Sequence, residues 1–231
     1  MTAQTPDRSL TQPAAPGLAR LTGWLATLLL PVALVLSAIR LLLAPWFLPF
    51  EYNMPGFPAD PYGFTKADRL YWSAYAMDYL VNDAGIEYLG DLRFADGSAV
   101  YNERELRHMV DVKAAIQITL RVWLAALVGL VLLALLAWRK GWTAAYIHGL
   151  RRGGWLTAAF IVVVITFVAL SFGAFFVFFH DVFFQPGTWM FEWSDTLIRL
   201  FPERFWRDIF VYVGVMSGGA GLLIALLLRR R

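Results

Sequence analysis

The sequence predicts an all-α membrane protein with four transmembrane helices and a small, mainly helical extracytoplasmic cap between the first and second spans. The chain of 231 residues is 59% hydrophobic and only 16% charged. Its mean hydropathy is +0.56, outside the balance of soluble domains. Apolar stretches at about 22–48, 114–138, 154–179 and 208–228 are each long enough to cross roughly 30 Å of hydrocarbon. There are no cysteines, which removes disulfides, thiolate metal sites and a cysteine nucleophile from consideration.

Residues 1–17, rich in Pro, Thr and Ala, read as a disordered cytoplasmic tail, and 18–231 as the four-span membrane domain. The first stretch reads as an uncleaved anchor, because its apolar run is too long for a signal peptide and no clean cleavage site follows. Pro31 inside it predicts a kink. Arg40, in its outer half, either snorkels to the surface or pairs with a loop carboxylate.

Residues 50–112 form the cap. The Pro- and Gly-rich run 53–61 predicts a turn. Phe64 to Asp83 has a helical stripe (Leu70, Ala74, Met77, Tyr79, Leu80), with Thr65 or Asp68 to cap it. Leu92 to Tyr101 alternates around Asp96-Gly97, a hairpin signature. Asn102 is placed to cap a helix beginning near Glu103, with Glu105 in its first turn. That helix is expected to run into the second span with His108 on its outermost turns.

Residues 180–207 make a second extracytoplasmic loop. Pro186-Gly187 marks a turn, and Trp189, Phe191 and Trp193 read as an interfacial aromatic belt. Leu197, Ile198, Leu200 and Phe201 predict a short helix lying on the membrane. Gly214, Gly218, Gly219 and Gly221 allow close helix contact in the last span.

Orientation follows from Lys and Arg in short loops. Arg139, Lys140, Arg151 and Arg152 join the second and third spans, and the chain ends Arg229-Arg230-Arg231. Most carboxylates, among them Asp60, Asp68, Asp78, Asp83 and Glu87, fall in the opposite loops. Both termini are therefore expected in the cytoplasm, with the cap facing outward. The pI of 9.3 reflects membrane anchoring and not nucleic-acid binding.

Two of three histidines, His108 and His180, fall where apolar segments meet that outer surface. Ionisable residues at such a boundary point to function, and paired imidazoles suit acid–base chemistry or a metal. Asp111, three residues after His108, is placed to orient its ring; Arg107 is a rival partner for Asp111. Phe172, Phe175, Phe176, Phe178, Phe179, Phe183 and Phe184 surround His180, as lipid-facing surface or as a wall for acyl chains. His148, in the basic loop, reads as solvated. Neither a Gly-x-Ser-x-Gly elbow nor a His-Glu-x-x-His motif occurs. A bis-histidine haem or metal site, a non-enzymatic lipid- or partner-binding module, and an enzyme acting on lipid esters all remain open at this level.

Three stretches narrow the choice. They are Gly63 to Leu70 (GFTKADRL), Arg104 to Lys113 (RELRHMVDVK), and Phe179 to Phe184 (FHDVFF) continuing through Trp189, Phe191, Asp195, Pro202, Glu203 and Phe205. Together they resemble the bacterial lipoprotein intramolecular transacylase family, over nearly the whole chain from the first span. The resemblance implies an outward-facing active site and transfer of the sn-2 acyl chain of a diacylglyceryl-modified lipoprotein cysteine to that cysteine's own α-amino group. It implies that His108 and His180 are the catalytic pair, and that no cofactor or metal is needed. The implied partners are the lipoprotein substrate and membrane lipids. Asp111, Lys113 and Trp189 are the candidates for support or substrate binding, Lys113 as an oxyanion or headgroup contact unless it merely snorkels.

Overall fold

The computed structural model describes residues 16–185 and 187–228, and all regular structure among them is helical. The elements are α1 (Pro16–Leu42), α2 (Phe47–Tyr52), α3 (Lys66–Val81), α4 (Glu87–Gly90), α5 (Glu103–Lys140), α6 (Thr143–Leu170), α7 (Phe172–Phe183), α8 (Thr196–Leu200) and α9 (Glu203–Leu227). Helices α1, α5, α6 and α9 are long and apolar enough to cross a membrane. Residues 1–15 of the expected tail, Pro186 and the last three arginines lie outside the described residues. Pro16 and Gly17, assigned to the tail, instead open α1, a position that tolerates proline because first-turn N–H groups have no intrahelical partner.

The spans pack through small residues. Side α6 meets α1 along Gly149 and Gly153, where added Cβ atoms would strike Gly23 O and Thr27 O. Thr27 Oγ1 seals this seam by donating to Gly149 O at 3.1 Å. On its other side Gly154 of α6 faces the backbone of Gly221 in α9. Gly214 and Gly218 receive Ile165 and Ile161, whereas Gly219 meets nothing and takes no part. Such close approach maximises dispersion between helices that lipid would otherwise solvate equally well.

Two expected spans end before the apolar runs that encode them do. The first ends at Leu42, and Phe47–Tyr52 turns away as α2. The third ends at Leu170, because Ser171 leaves helical geometry at φ −160°, ψ 87°. Helix α7 then folds over the end of α6. The Phe167 ring meets Phe175 and Phe178 at 5.5 and 6.3 Å, whereas an unbroken helix would carry those residues about 12 and 16 Å onward. Phe172 and Phe175 face inward, and Val177, Phe178, Val182 and Phe183 face out. At the other end α6 starts directly after the Gly141 turn, so His148, Arg151 and Arg152 lie on a helix and not in a loop.

The cap is welded to this end of the bundle. One core runs from Ala38 and Leu42 of α1 through Phe47, Tyr79, Leu89, Tyr101 and Leu200 to Phe205 and Val213 of α9. Thr65 caps α3 in a reciprocal box with Asp68. Tyr52 donates to Leu200 O at 2.8 Å, and Arg199 pairs with buried Asp60 at 3.0 Å. The expected hairpin is only a turn with one bridge, Arg93 to Ala99, around Gly97 at φ 85°. Helix α8 does not lie on the membrane as expected, since Thr196, Leu197 and Leu200 are buried in the cap.

Candidate active site

Helix α5 has 38 residues, about 57 Å at 1.5 Å each and nearly twice the hydrocarbon thickness. Its first turns therefore stand beyond the span, among the cap residues. Asn102 starts it by accepting from the N–H groups of Arg104 and Glu105, and Glu105 Oε2 accepts from Asn102 N at 2.8 Å. Such a box is worth about 1 kcal/mol and fixes where the helix begins. The next turn carries His108 into the protein.

His108 and His180 meet there. Their ring centroids are 6.3 Å apart with planes 23° from parallel, and both side chains are buried. The His108 ring sits between Phe184 at 5.0 Å and Phe191 at 5.2 Å. The His180 ring lies against Phe176 at 4.0 Å and Trp189 at 4.7 Å. The imidazoles thus face each other inside an aromatic enclosure made by α5, α7 and the segment after α7.

The two rings differ electrically. Phe176 O lies 2.8 Å from His180 Nδ1. A carbonyl can only accept, so Nδ1 carries the proton and Nε2 of the neutral ring keeps its lone pair. Burial pushes His180 below the ordinary imidazole range, against the opposing pull of Phe176 O and Asp181. His108 Nδ1 is buried and has no hydrogen-bond partner, and Met109 beside it is part of the cap core. Among the described residues no group of three or more His, Cys, Asp or Glu side chains is placed to hold a metal ion.

Two supporting candidates are not where the sequence suggested. Asp111 is exposed and makes no hydrogen bond or ion pair among the described residues; three residues on, it sits about 60° round the helix and on the open side. Arg107 pairs with Glu103 instead, at 3.5 Å. Lys113 is about 140° round from His108 and donates to Ala84 O at 2.6 Å and Asn82 Oδ1 at 3.2 Å. Its ammonium also lies 4.1 Å from the Tyr79 ring centre, so it ties the end of α3 to α5 and is not aimed at the histidines. Trp189 does join the site.

The family model described as lipoprotein intramolecular transacylase Lit matches residues 24–206. The chain belongs to this family. Lit is an acyltransferase, so the non-enzymatic reading of the chain is set aside. An uncharacterized protein of Aquifex aeolicus is 28% identical over 200 residues, covering 84% of this chain and 86% of its own. The integral membrane Lit of Bacillus cereus has the same fold, with TM-score 0.77 at 20% identity, over 92% of this chain and 95% of that one. Forms of that protein with a histidine replaced by arginine or alanine also match, each at TM-score 0.70.

The sequence did not reveal that Phe191, Glu105 and Asp195 gather at this candidate site. Phe191 looked like part of an interfacial belt, and the two carboxylates like a helix terminus and a loop charge. Their partners are 90 or so residues away in sequence, which no local pattern displays.

Proposed function

We propose that this Lit protein moves the sn-2 acyl chain of a diacylglyceryl-modified lipoprotein cysteine onto the α-amino group of the same cysteine, between His108 and His180. The observation that carries this is the pairing of the two imidazoles in a buried aromatic enclosure, with Nε2 of His180 available as a base. The α-amino group has a pKa near 8, so a neutral amine is accessible. Its nitrogen attacks the ester carbonyl and the N–C bond forms. His180 Nε2 takes the proton shed by that nitrogen and returns it to the glyceryl oxygen as the C–O bond breaks, leaving no net proton. His108 donates to the carbonyl oxygen as it gains negative charge. Donor and acceptor are parts of one molecule, so attack is effectively unimolecular and needs no covalent enzyme intermediate.

The aromatic walls, with Trp189 and Phe191, hold the acyl ester and exclude water. The excess of Lys and Arg at the opposite end of the bundle supports an outward-facing cap in a bacterial membrane, with both termini cytoplasmic. The test is mass spectrometry of a reporter lipoprotein's N-terminal lipopeptide, in a host lacking other N-acylating enzymes. An N-acyl, monoacylglyceryl cysteine is expected with the native chain and not with His180→Ala. Unchanged diacylglyceryl cysteine beside well-expressed native protein would overturn the proposal.

A further inference from the structure

One turn above His108, two carboxylates hold two segments together reciprocally. Glu105, 1% exposed, reaches out of α5 and accepts from Leu197 N at 2.6 Å, in place of a cap from α8's own Asp195. Asp195 in turn reaches back to α5. Its Oδ1 accepts from Asn102 Nδ2 at 2.9 Å, and its Oδ2 from Arg104 Nη2 at 2.7 Å. The same Oδ2 accepts from Glu192 N at 2.9 Å, which folds the preceding loop. Between the carboxylates Thr196 Oγ1 donates to Val100 O.

This clasp acts on the site through the segment it fixes. Residues 187–195 carry Trp189, against His180, and Phe191, against His108. Arg104 also lies over Phe191, its guanidinium 5.9 Å from the ring centre. Asp195, Arg104, Phe191 and His108 therefore form one chain of contacts from clasp to imidazole. The other large side chains of the segment, Met190 and Trp193, are exposed.

We infer that Glu105 and Asp195 are positioning residues that keep the Trp189–Phe191 wall closed over the two histidines and so direct the acyl group to the amine and not to water. The inference rests on the acyl transfer proposed above. A neutral imidazole that activates an amine can also activate water. In that competing reaction the water oxygen forms the new acyl C–O bond and the ester C–O bond breaks. The glyceryl oxygen takes a proton, and a free fatty acid leaves. The tethered amine wins while the site is dry and the ester is held near it.

The test is a product ratio. Purified full-length protein in detergent is given a diacylglyceryl lipopeptide, and N-acyl lipopeptide and free fatty acid are quantified together. Asp195→Asn removes the charge that Arg104 binds. It is expected to raise fatty acid released per N-acyl product about tenfold, the effect of losing a charge-assisted hydrogen bond. Arg104→Lys, which keeps the charge, should restore part of the native ratio relative to Arg104→Ala. Gly154→Ala, which loosens the bundle away from the site, should lower both products together. An unchanged ratio in Asp195→Asn, with N-acyl product still forming, would overturn the clasp's role alone. Absence of N-acyl product from the native protein would overturn the transfer reading and this inference with it.

Discussion

His180 donates its Nδ1 proton to the carbonyl of Phe176, 2.8 Å away and one turn earlier on α7. That bond fixes which nitrogen of the buried ring can act as a base, and it does so with backbone alone. A carboxylate in that position would have raised the basicity of the ring and favoured its charged form; a carbonyl orients it with a weaker pull.

The pH dependence follows. Burial holds His180 below the ordinary imidazole range, so the neutral ring persists as pH falls. The acid limb of kcat is expected to carry two inflections, one near 8 from the substrate's α-amino group and a second, from His180, below the usual histidine value near 6.5. A second inflection at or above about 6.5, measured with saturating lipopeptide, would contradict a buried neutral base.

Removing either ring should stop the chemistry without unfolding the chain. His108→Ala and His180→Ala are each expected to lower kcat by about 10²- to 10⁴-fold, the range for a positioned acid or base. Thermal unfolding in detergent checks that each variant stays folded. Because neither ring makes an ion pair among the described residues, the loss of stability should be that of an aromatic contact.

Trp189→Ala takes away the ring that lies tilted against His180 at 4.7 Å. Aromatic contacts of this kind contribute about 0.5–1.5 kcal/mol beyond burial, so kcat/KM should fall about 3- to 10-fold. Lys113→Ala, which loses its hold on Ala84 and Asn82, should lower stability and leave kcat near native. A large kcat defect in Lys113→Ala at unchanged stability would return that ammonium to the reaction.

A separate buried carboxyl sets a stability profile. Glu51 in α2 is fully buried with neither oxygen hydrogen-bonded. Burial, together with the negative charge of Asp208, pushes it up to about 7. Between its ordinary value and about 7 the folded chain binds more protons than the unfolded chain, so stability falls as pH rises across that window. Glu51→Gln should stabilise the protein at pH 8, on the order of 2 kcal/mol, and change little at pH 5. Melting temperatures at the two pH values decide it; equal shifts at both would contradict a protonated Glu51.

The seam between α6 and α9 predicts a packing effect. A side chain at Gly154 would meet the backbone of Gly221, which cannot move aside as a side chain can. Gly154→Val should lower the melting temperature far more than Gly219→Val, whose site is open.

Much of this was legible in the sequence for physical reasons. Hydropathy located the four spans because a membrane helix must satisfy its own backbone over a fixed length. Thr65 and Asn102 marked helix starts because their side chains accept the orphan N–H groups of a first turn. The end of the third span was not legible: Phe172 to Phe179 is as apolar as the helix before it, and only the backbone at Ser171 shows that α7 folds back. That fold is what carries His180 to His108. Asp111 illustrates the opposite limit. Its spacing allows contact with His108, but which way the imidazole turns is decided by Phe184 and Phe191, far along the chain.

The most direct measurement is a label crossover in single-turnover reactions of the purified protein. One lipopeptide carries a labelled sn-2 acyl chain and a labelled cysteine, and is mixed with an unlabelled lipopeptide. N-acyl product retaining both labels on the same molecule, lost in His108→Ala and His180→Ala, is the predicted result. Product with the labels scrambled between molecules would contradict transfer within one substrate held between the two histidines.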